Sequence, residues 1–328
     1  MRTVKILAID GGGVRGLIPA LILAEIERRC GRPLARIFDV VSGTSNGAVL
    51  ACLFTKPDPV PGPGLVEIYA HHCKAFFQRS ALRRILSLDG WLRPKYAASG
   101  VDGSLKRYIG ETAELKDAVT EVVIPTYDLR GRAPRAVLFS RRAARTSPDE
   151  NFRMWEVARA SCAAPGYFPG PVITSLSGRR TIHAVDGGVY VNDPAVQALC
   201  HAISLEEDKG SLADGRVSHL LLSVGTGFHD EPILPRRARN WGLLGWAPRI
   251  IGVMFEGQTD LVSRQVAELL PTSRSLRRQW RLQAPLPRPY SLDDVSPAGL
   301  AFLEETTRRF IERRSAEIDD MCRELLAP

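Results

Sequence analysis

Asp10-Gly11-Gly12-Gly13-Val14-Arg15-Gly16 and Gly43-Thr44-Ser45-Asn46-Gly47 are the two turns whose reading decides the fold. Before the first, Val4-Lys5-Ile6-Leu7-Ala8-Ile9 is apolar enough for a buried strand, and after it residues 17–29 carry apolar side chains at helical spacing. Ile37-Phe38-Asp39-Val40-Val41 then reads as a second strand and residues 48–54 as a second apolar helix. A glycine-bracketed turn therefore closes each of two successive strands in a βαβ unit. A right-handed crossover lays such strands parallel, about 4.8 Å apart, so both turns fall on one edge of one sheet.

That placement points to chemistry. In G-x-S-x-G the serine sits on a sharp strand-to-helix turn, and the chain folds back so tightly only when the residues two before and two after are very small. Gly43 and Gly47 fill those places around Ser45, whereas Ser42, flanked by Val40 and Thr44, lacks them. The neighbouring glycine run frees backbone N–H groups at a helix start, where unpaired donors and the helix dipole favour negative charge. An oxyanion formed on Ser45 would face them.

Gly11-x-Gly13-x-x-Gly16 also matches a dinucleotide fingerprint, which would make the glycines a pyrophosphate cradle. That fingerprint wants an acidic residue closing the second strand, and here Asp39 opens it while Gly43 closes it. No Gly-Lys-Ser/Thr follows, which excludes a Walker loop. Asp10 reads as a structural partner at the strand end.

The chain has 328 residues, 45% hydrophobic and 24% charged, which suits one large α/β domain with a sizeable core and leaves room for two domains. Its net charge of +8 comes mostly from arginine, in clusters such as Arg83-Arg84, residues 130–145, Arg236-Arg237-Arg239 and Arg277-Arg278-Arg281. Such clusters suit anionic lipid head groups, phosphates or nucleic acid, although most surface charge is simply solvated. The cysteines form no C-x-x-C pair and no signal peptide precedes the first strand, so reduced thiols and a cytoplasmic location are expected. The longest apolar run, residues 241–255, is broken by Pro248-Arg249 and is shorter than the ~17 residues a spanning helix needs.

Further along, residues 57–64 read as a linker, 65–77 as a helix, 87–100 as a rim loop and 101–109 as a helix. Residues 121–127 and 135–140 are β-rich and read as a hairpin or neighbouring strands, and 143–151 as a polar loop. Residues 155–164 read as a helix opening a segment dense in small residues, 181–185 as a strand broken at Asp186-Gly187-Gly188, and 194–203 as a helix. Residues 218–224 read as a strand and 297–326 as one long charged amphipathic helix.

Ser45 needs a proton acceptor. A triad would take Asp186 with His201, His219 or His229, of which His229 lies just beyond the strand-closing Gly225-Thr226-Gly227. A dyad would use Asp186 itself. A carboxylate of ordinary pKa, about 3.9, is a weak base, so the site would have to desolvate it or rely on the glycine N–H groups.

The Asp10–Gly16 glycine run, the Gly43–Gly47 turn and Asp186-Gly187-Gly188, in this order and spacing, resemble the three signatures of the patatin-like phospholipases. The segment 159–169 is similar too, as is Asn192-Asp193-Pro194, where Asp193 departs from the family's usual Asn-Asn-Pro. The likeness spans about residues 3–270. It implies a three-layer α/β/α sandwich with a mostly parallel sheet and a lipid acyl hydrolase of phospholipase A type. Carried over by position, Ser45 is the nucleophile, Asp186 the base, Gly11, Gly12 and Gly13 with Arg15 the oxyanion hole, and Gly43 and Gly47 the elbow.

Residues 1–328 are expected to form a single hydrolase domain, with 271–328 a C-terminal strand and helix extension packed on it. Asn240-Trp241-Gly242-Leu243-Leu244-Gly245-Trp246 resembles a bacterial branch, some of whose members are anti-phage effectors switched on by a cyclic nucleotide; loops 87–100 and 231–244 are where such an activator would bind. The expected partner is the phospholipid surface at the inner face of the membrane, reached peripherally, with no metal, cofactor or nucleic acid polymer. A homo-oligomer is compatible with the sequence. A soluble esterase or thioesterase with the same dyad, and a nucleotide-binding or nucleic-acid-binding protein using the glycine loop and the arginines, are the alternatives.

Overall fold

The computed structural model describes residues 2–77, 87, 92–130, 135–210, 217–229, 235–246, 250–272 and 276–327. It opens with strand β1 (Arg2–Ile9), helix α1 (Leu17–Cys30), strand β2 (Val40–Gly43) and helix α2 (Asn46–Thr55). β1 and β2 are parallel with Ile9 opposite Gly43, so the two glycine turns leave the sheet side by side. Helix α1 stops where Gly31 takes a left-handed conformation (φ 61°) and donates its N–H to the Glu27 carbonyl; glycine adopts that cap without steric cost.

Helix α3 (Ala98–Ile109), strands β3 (Glu121–Asp128) and β4 (Ala136–Ser140), helix α4 (Met154–Ser161), and strands β5 (Val172–Thr174) and β6 (Thr181–Asp186) follow. The remainder is α5 (Ala195–Asp208), β7 (Val217–Val224), α6 (Ile250–Thr272), β8 (Leu276–Leu282), α7 (Pro297–Arg313) and α8 (Ser315–Leu326). One sheet runs in the order β5-β6-β3-β2-β1-β7-β8, with β4 also paired to β3. β3, β2, β1, β7 and β8 are parallel; β4 and β6 run antiparallel to β3, and β5 to β6.

Side chains alternate across the sheet. Leu7 and Ile9 of β1 join the core under α1, α2, α3, α4, α7 and α8, whereas Ile6 and Ala8 join the core under α5 and α6. The result is the three-layer α/β/α sandwich with a mostly parallel sheet that the sequence predicts.

Two features of the topology position the site. β1 has β2 on one side and β7 on the other, so the glycine loop that follows it lies where the strand order reverses, and open α/β sheets bind ligands at such points. β3 also outruns β2: Val123 faces Ser42, but the strand continues to Asp128. β6 descends antiparallel along this overhang and ends with Asp186 opposite Thr126, just past the level of the β2 turn.

Several sequence expectations are corrected. The polar stretch 143–151 holds a helix, Arg141–Thr146, and a short turn, Pro148–Glu150, because Ser140 and Ser147 accept the N–H groups of Ala143 and Asp149. The C-terminal helix breaks at Arg314, which lets both α7 and α8 pack on α1. Helix α4 ends at Ser161, earlier than periodicity suggests, and frees Cys162 to turn toward Ser45. Arg83-Arg84, residues 88–91 of the rim loop, 131–134 between β3 and β4, 231–234 of the second candidate loop and Pro248-Arg249 lie outside the described residues.

Candidate active site

Ser45 has φ 54° and ψ −121°, and it is the one non-glycine among the described residues with positive φ. Such a conformation costs on the order of 1–3 kcal/mol and persists only where the surroundings enforce it. They do so here from both sides. The Ser45 N–H donates to Ser161 Oγ at 3.0 Å, Ser161 Oγ donates to the Pro125 carbonyl at 2.7 Å, and the Cys162 thiol donates to the Ser45 carbonyl at 3.0 Å. The glycines flanking the turn have no room for a side chain: a Cβ on Gly43 would lie 2.1 Å from the Gly47 carbonyl oxygen, and one on Gly47 would lie 2.3 Å from that of Ile9.

The structure brings Ser45 and Asp186 together. The serine hydroxyl donates to Asp186 Oδ2 at 2.8 Å, and the Gly188 N–H donates to Asp186 Oδ1 at 2.7 Å. Burial raises the Asp186 pKa to about 7, against the opposing pull of the Gly188 N–H, the Ser45 hydroxyl and the Arg159 charge. Arg159 is itself buried, donating to Asp102 at 2.6 Å and to the Pro169 carbonyl at 2.6 Å. Cys162 stays a thiol, because burial first and then the Asp186 charge push its pKa well up.

In the glycine loop the N–H groups divide cleanly. That of Gly11 donates to the Asn192 carbonyl at 3.1 Å, that of Val14 to Leu292 at 2.8 Å, and that of Arg15 to Gly12 at 3.2 Å. The N–H groups of Gly12 and Gly13 have no acceptor among the described residues, and both residues line the cavity that holds Ser45. Arg15 turns its guanidinium toward the Gly227 carbonyl, 3.5 Å away, and does not line that cavity. Gly11 lies close behind the serine, its would-be Cβ 3.2 Å from Ser45 Cβ.

Behind the loop lies an ion-pair cluster. Arg281 of β8 grips both oxygens of Asp10 at 2.8 and 2.5 Å, donates to Ser223 Oγ at 2.5 Å and reaches Asp193 Oδ2 at 3.2 Å. Burial works against the Arg281 charge, but Asp10 and Asp193 together outweigh it and hold its pKa above the ordinary value. Asp193, the departure from Asn-Asn-Pro, thus supplies a second carboxylate to this arginine, and its Oδ1 also accepts the Ala195 N–H at 3.0 Å.

The cavity in front of Ser45 measures about 230 Å³. Apart from Ser45 and Asp186 its walls are largely apolar, including Val49, Phe76, Phe77, Phe168, Met254 and Phe255. All six histidines lie elsewhere: none lines the cavity. His201 Nε2 is 2.9 Å from Glu121, His229 Nδ1 2.9 Å from the Leu286 carbonyl oxygen, and His183 3.2 Å from Arg130. Among the described residues no cluster of His, Cys, Asp or Glu is arranged to hold a metal ion.

Sequence reasoning missed Ser161, Cys162 and Arg281 as parts of this site. The small-residue segment 159–169 was a signal for the first two; for Arg281 only the two-residue alternation along β8 was available.

A family model described as "Patatin-like phospholipase" matches residues 7–199. The chain is 29% identical over 355 residues to "Patatin-like protein 2" of Oryza sativa subsp. indica, covering 97% of this chain and 86% of that protein. It is 30% identical over 316 residues to "Patatin-like protein 2" of Arabidopsis thaliana, covering 85% of this chain and 75% of that protein. Among solved structures, VipD from Legionella pneumophila aligns with a TM-score of 0.37 and 11% identity, over 94% of this chain and 67% of that one.

Proposed function

Because the chain belongs to the patatin-like phospholipase family, we propose that it cleaves glycerophospholipid esters as a phospholipase A, with Ser45 and Asp186 as a catalytic dyad. The observation that carries this reading is the 2.8 Å hydrogen bond from the Ser45 hydroxyl to a buried carboxylate. Ser45 Oγ attacks the ester carbonyl carbon as its proton passes to Asp186 Oδ2. The tetrahedral oxyanion accepts hydrogen bonds from the Gly12 and Gly13 N–H groups, the oxyanion hole in this reading. Collapse expels the lysolipid alkoxide, which takes the proton back from Asp186, leaving an acyl-enzyme on Ser45. Water then attacks the acyl carbon as its proton passes to Asp186, and collapse releases the fatty acid as Ser45 Oγ leaves and takes that proton back.

The apolar cavity walls support an acyl chain as the group held beside Ser45. Among the described residues no helix is long and apolar enough to cross a membrane, and in this reading the enzyme works peripherally on the lipid surface. Reaction with a fluorophosphonate tests the nucleophile, the expected result being a single mass increase on the Ser45 peptide. Hydrolysis of defined phospholipid vesicles, with a short-chain soluble ester in parallel, tests the substrate class; turnover of the soluble ester alone would favour the esterase alternative. Adding cyclic di- and trinucleotides to the same assay tests the anti-phage switch, and full activity without them would remove it.

A further inference from the structure

Helix α6 exposes an apolar strip. Ile250, Met254 and Leu261 are 40%, 42% and 56% exposed, and at 3.6 residues per turn they fall within roughly 40° of one another around the axis. Val253 borders them and is also exposed. The other side of the helix is anchored: Val262 and Val266 are buried in the core beneath α5, and the Gln258 side chain accepts the Asn192 N–H at 2.8 Å. The strip therefore belongs to a docked helix and still has no protein cover among the described residues.

Met254 belongs to two surfaces. It lies on the strip, and with Phe255 it lines the cavity that holds Ser45. The apolar surface thus runs continuously from the outside of α6 to the cavity wall.

Charge narrows the occupant. Residues 232–255 include Arg236, Arg237, Arg239 and Arg249 and no acidic residue, and the Arg236 and Arg239 side chains are exposed. By the same helical geometry the acidic residues Glu256 and Asp260 lie roughly 80–160° around the axis from Ile250, Met254 and Leu261, and Asp260 falls about 20° from Val253, at the edge of the strip. An exposed apolar strip entered through a purely basic segment is the chemistry of a surface that meets anionic lipid.

We propose that the N-terminal half of α6 is the membrane-docking element: Ile250 enters the boundary between head groups and acyl chains of an anionic bilayer with Val253 at its edge, and Met254 becomes the threshold an acyl chain crosses to reach Ser45. This rests on the phospholipase reading for its purpose, but docking is measurable apart from catalysis. The test is the double variant Ile250→Glu/Val253→Glu, which alters two exposed side chains outside the catalytic site. Sedimentation with phosphatidylcholine vesicles, with and without phosphatidylglycerol, reads docking; hydrolysis of p-nitrophenyl butyrate in solution reads the site and the fold.

The expected result is wild-type binding that depends on phosphatidylglycerol, binding weakened about tenfold or more in the variant, and unchanged turnover of the soluble ester. Equal vesicle binding by variant and wild type overturns the proposal. So does a change in the variant's size-exclusion elution from dimer to monomer with vesicle binding intact, which would make the strip an interface between two copies of the chain. If neither protein turns over p-nitrophenyl butyrate, with or without cyclic di- and trinucleotides, the dyad reading fails while the vesicle arm still decides docking.

Discussion

Asp186 accepts the Ser45 hydroxyl through Oδ2 at 2.8 Å and the Gly188 N–H through Oδ1 at 2.7 Å, so both oxygens of a buried carboxylate are engaged while the side chain stays beside the serine. Burial outweighs both hydrogen bonds and sets the pKa at about 7. The objection that aspartate is too weak a base loses its force, because a base poised near the working pH combines the right protonation state with a useful proton affinity.

The first prediction is a pH profile. In the proposed mechanism only the ionised Asp186 accepts the serine proton, so kcat/KM rises with pH and is half-maximal near pH 7. Hydrolysis of a soluble ester across the neutral range measures it. A rising limb centred near the ordinary carboxylate value, about 4, would show that the base is not held in a desolvated state.

The same shift has a sign in stability. A carboxyl whose pKa is higher folded than unfolded holds its proton more tightly when folded. Stability therefore falls as pH climbs from about 4, the unfolded value, to about 7, and is level above. Asp186→Asn removes that loss, since an amide can accept from Gly188 and donate to Ser45 without charge. The variant should be inactive yet more stable than wild type at pH 8 by on the order of 1–3 kcal/mol, with the difference vanishing near pH 4. Denaturant melts at the two pH values provide the check.

A third prediction comes from the strained turn. Ser45→Ala and Ser45→Gly both remove the nucleophile, but glycine adopts a φ of 54° freely and alanine does not. Ser45→Gly should melt higher than Ser45→Ala, by an amount worth about 1 kcal/mol. Equal melting temperatures would mean that the clamp from Ser161 and Cys162 does not hold a strained backbone.

Much of this arrangement was legible in the sequence because it is local. The periodicity of β1 and α1, and two glycines around Ser45, fix a strand, a turn and a helix within fifty residues. The groups that clamp the turn were not legible, because the sheet register delivers them from far away. Ser161 reaches Ser45 because α4 packs over β3; Asp186, which its Asp-Gly-Gly turn marks in the sequence, arrives level with Ser45 because β3 outruns β2. Arg278 and Arg281 looked alike in sequence as surface charge. Three positions apart on a strand, they face opposite sides: Arg278 pairs with Asp320 and Glu324 of α8, and Arg281 enters the site. Alternation separates the two, but only the pairing of β8 with β7 says which partner waits on each side.

That inward arginine gives the last prediction. Arg281 is the cation facing two buried carboxylates, Asp10 and Asp193, and Asp10 opens the glycine loop whose N–H groups are to hold the oxyanion. Arg281→Met leaves both carboxylates without it, and breaking a buried pair from one side costs about 3–5 kcal/mol. Removing the charge from both ends is milder, so Arg281→Met combined with Asp10→Asn should recover part of that loss; full additivity of the two single effects in denaturant melts would show that the residues do not act as a pair. Activity separates loop positioning from simple stability. If the ion pair aligns the Gly12 and Gly13 donors, the double variant, assayed at a temperature where it is folded, should lose kcat on a soluble ester with KM little changed, because the misplaced hydrogen bonds act on the transition state and not on the bound substrate. An unchanged kcat in that folded double variant would confine Arg281 to a structural part.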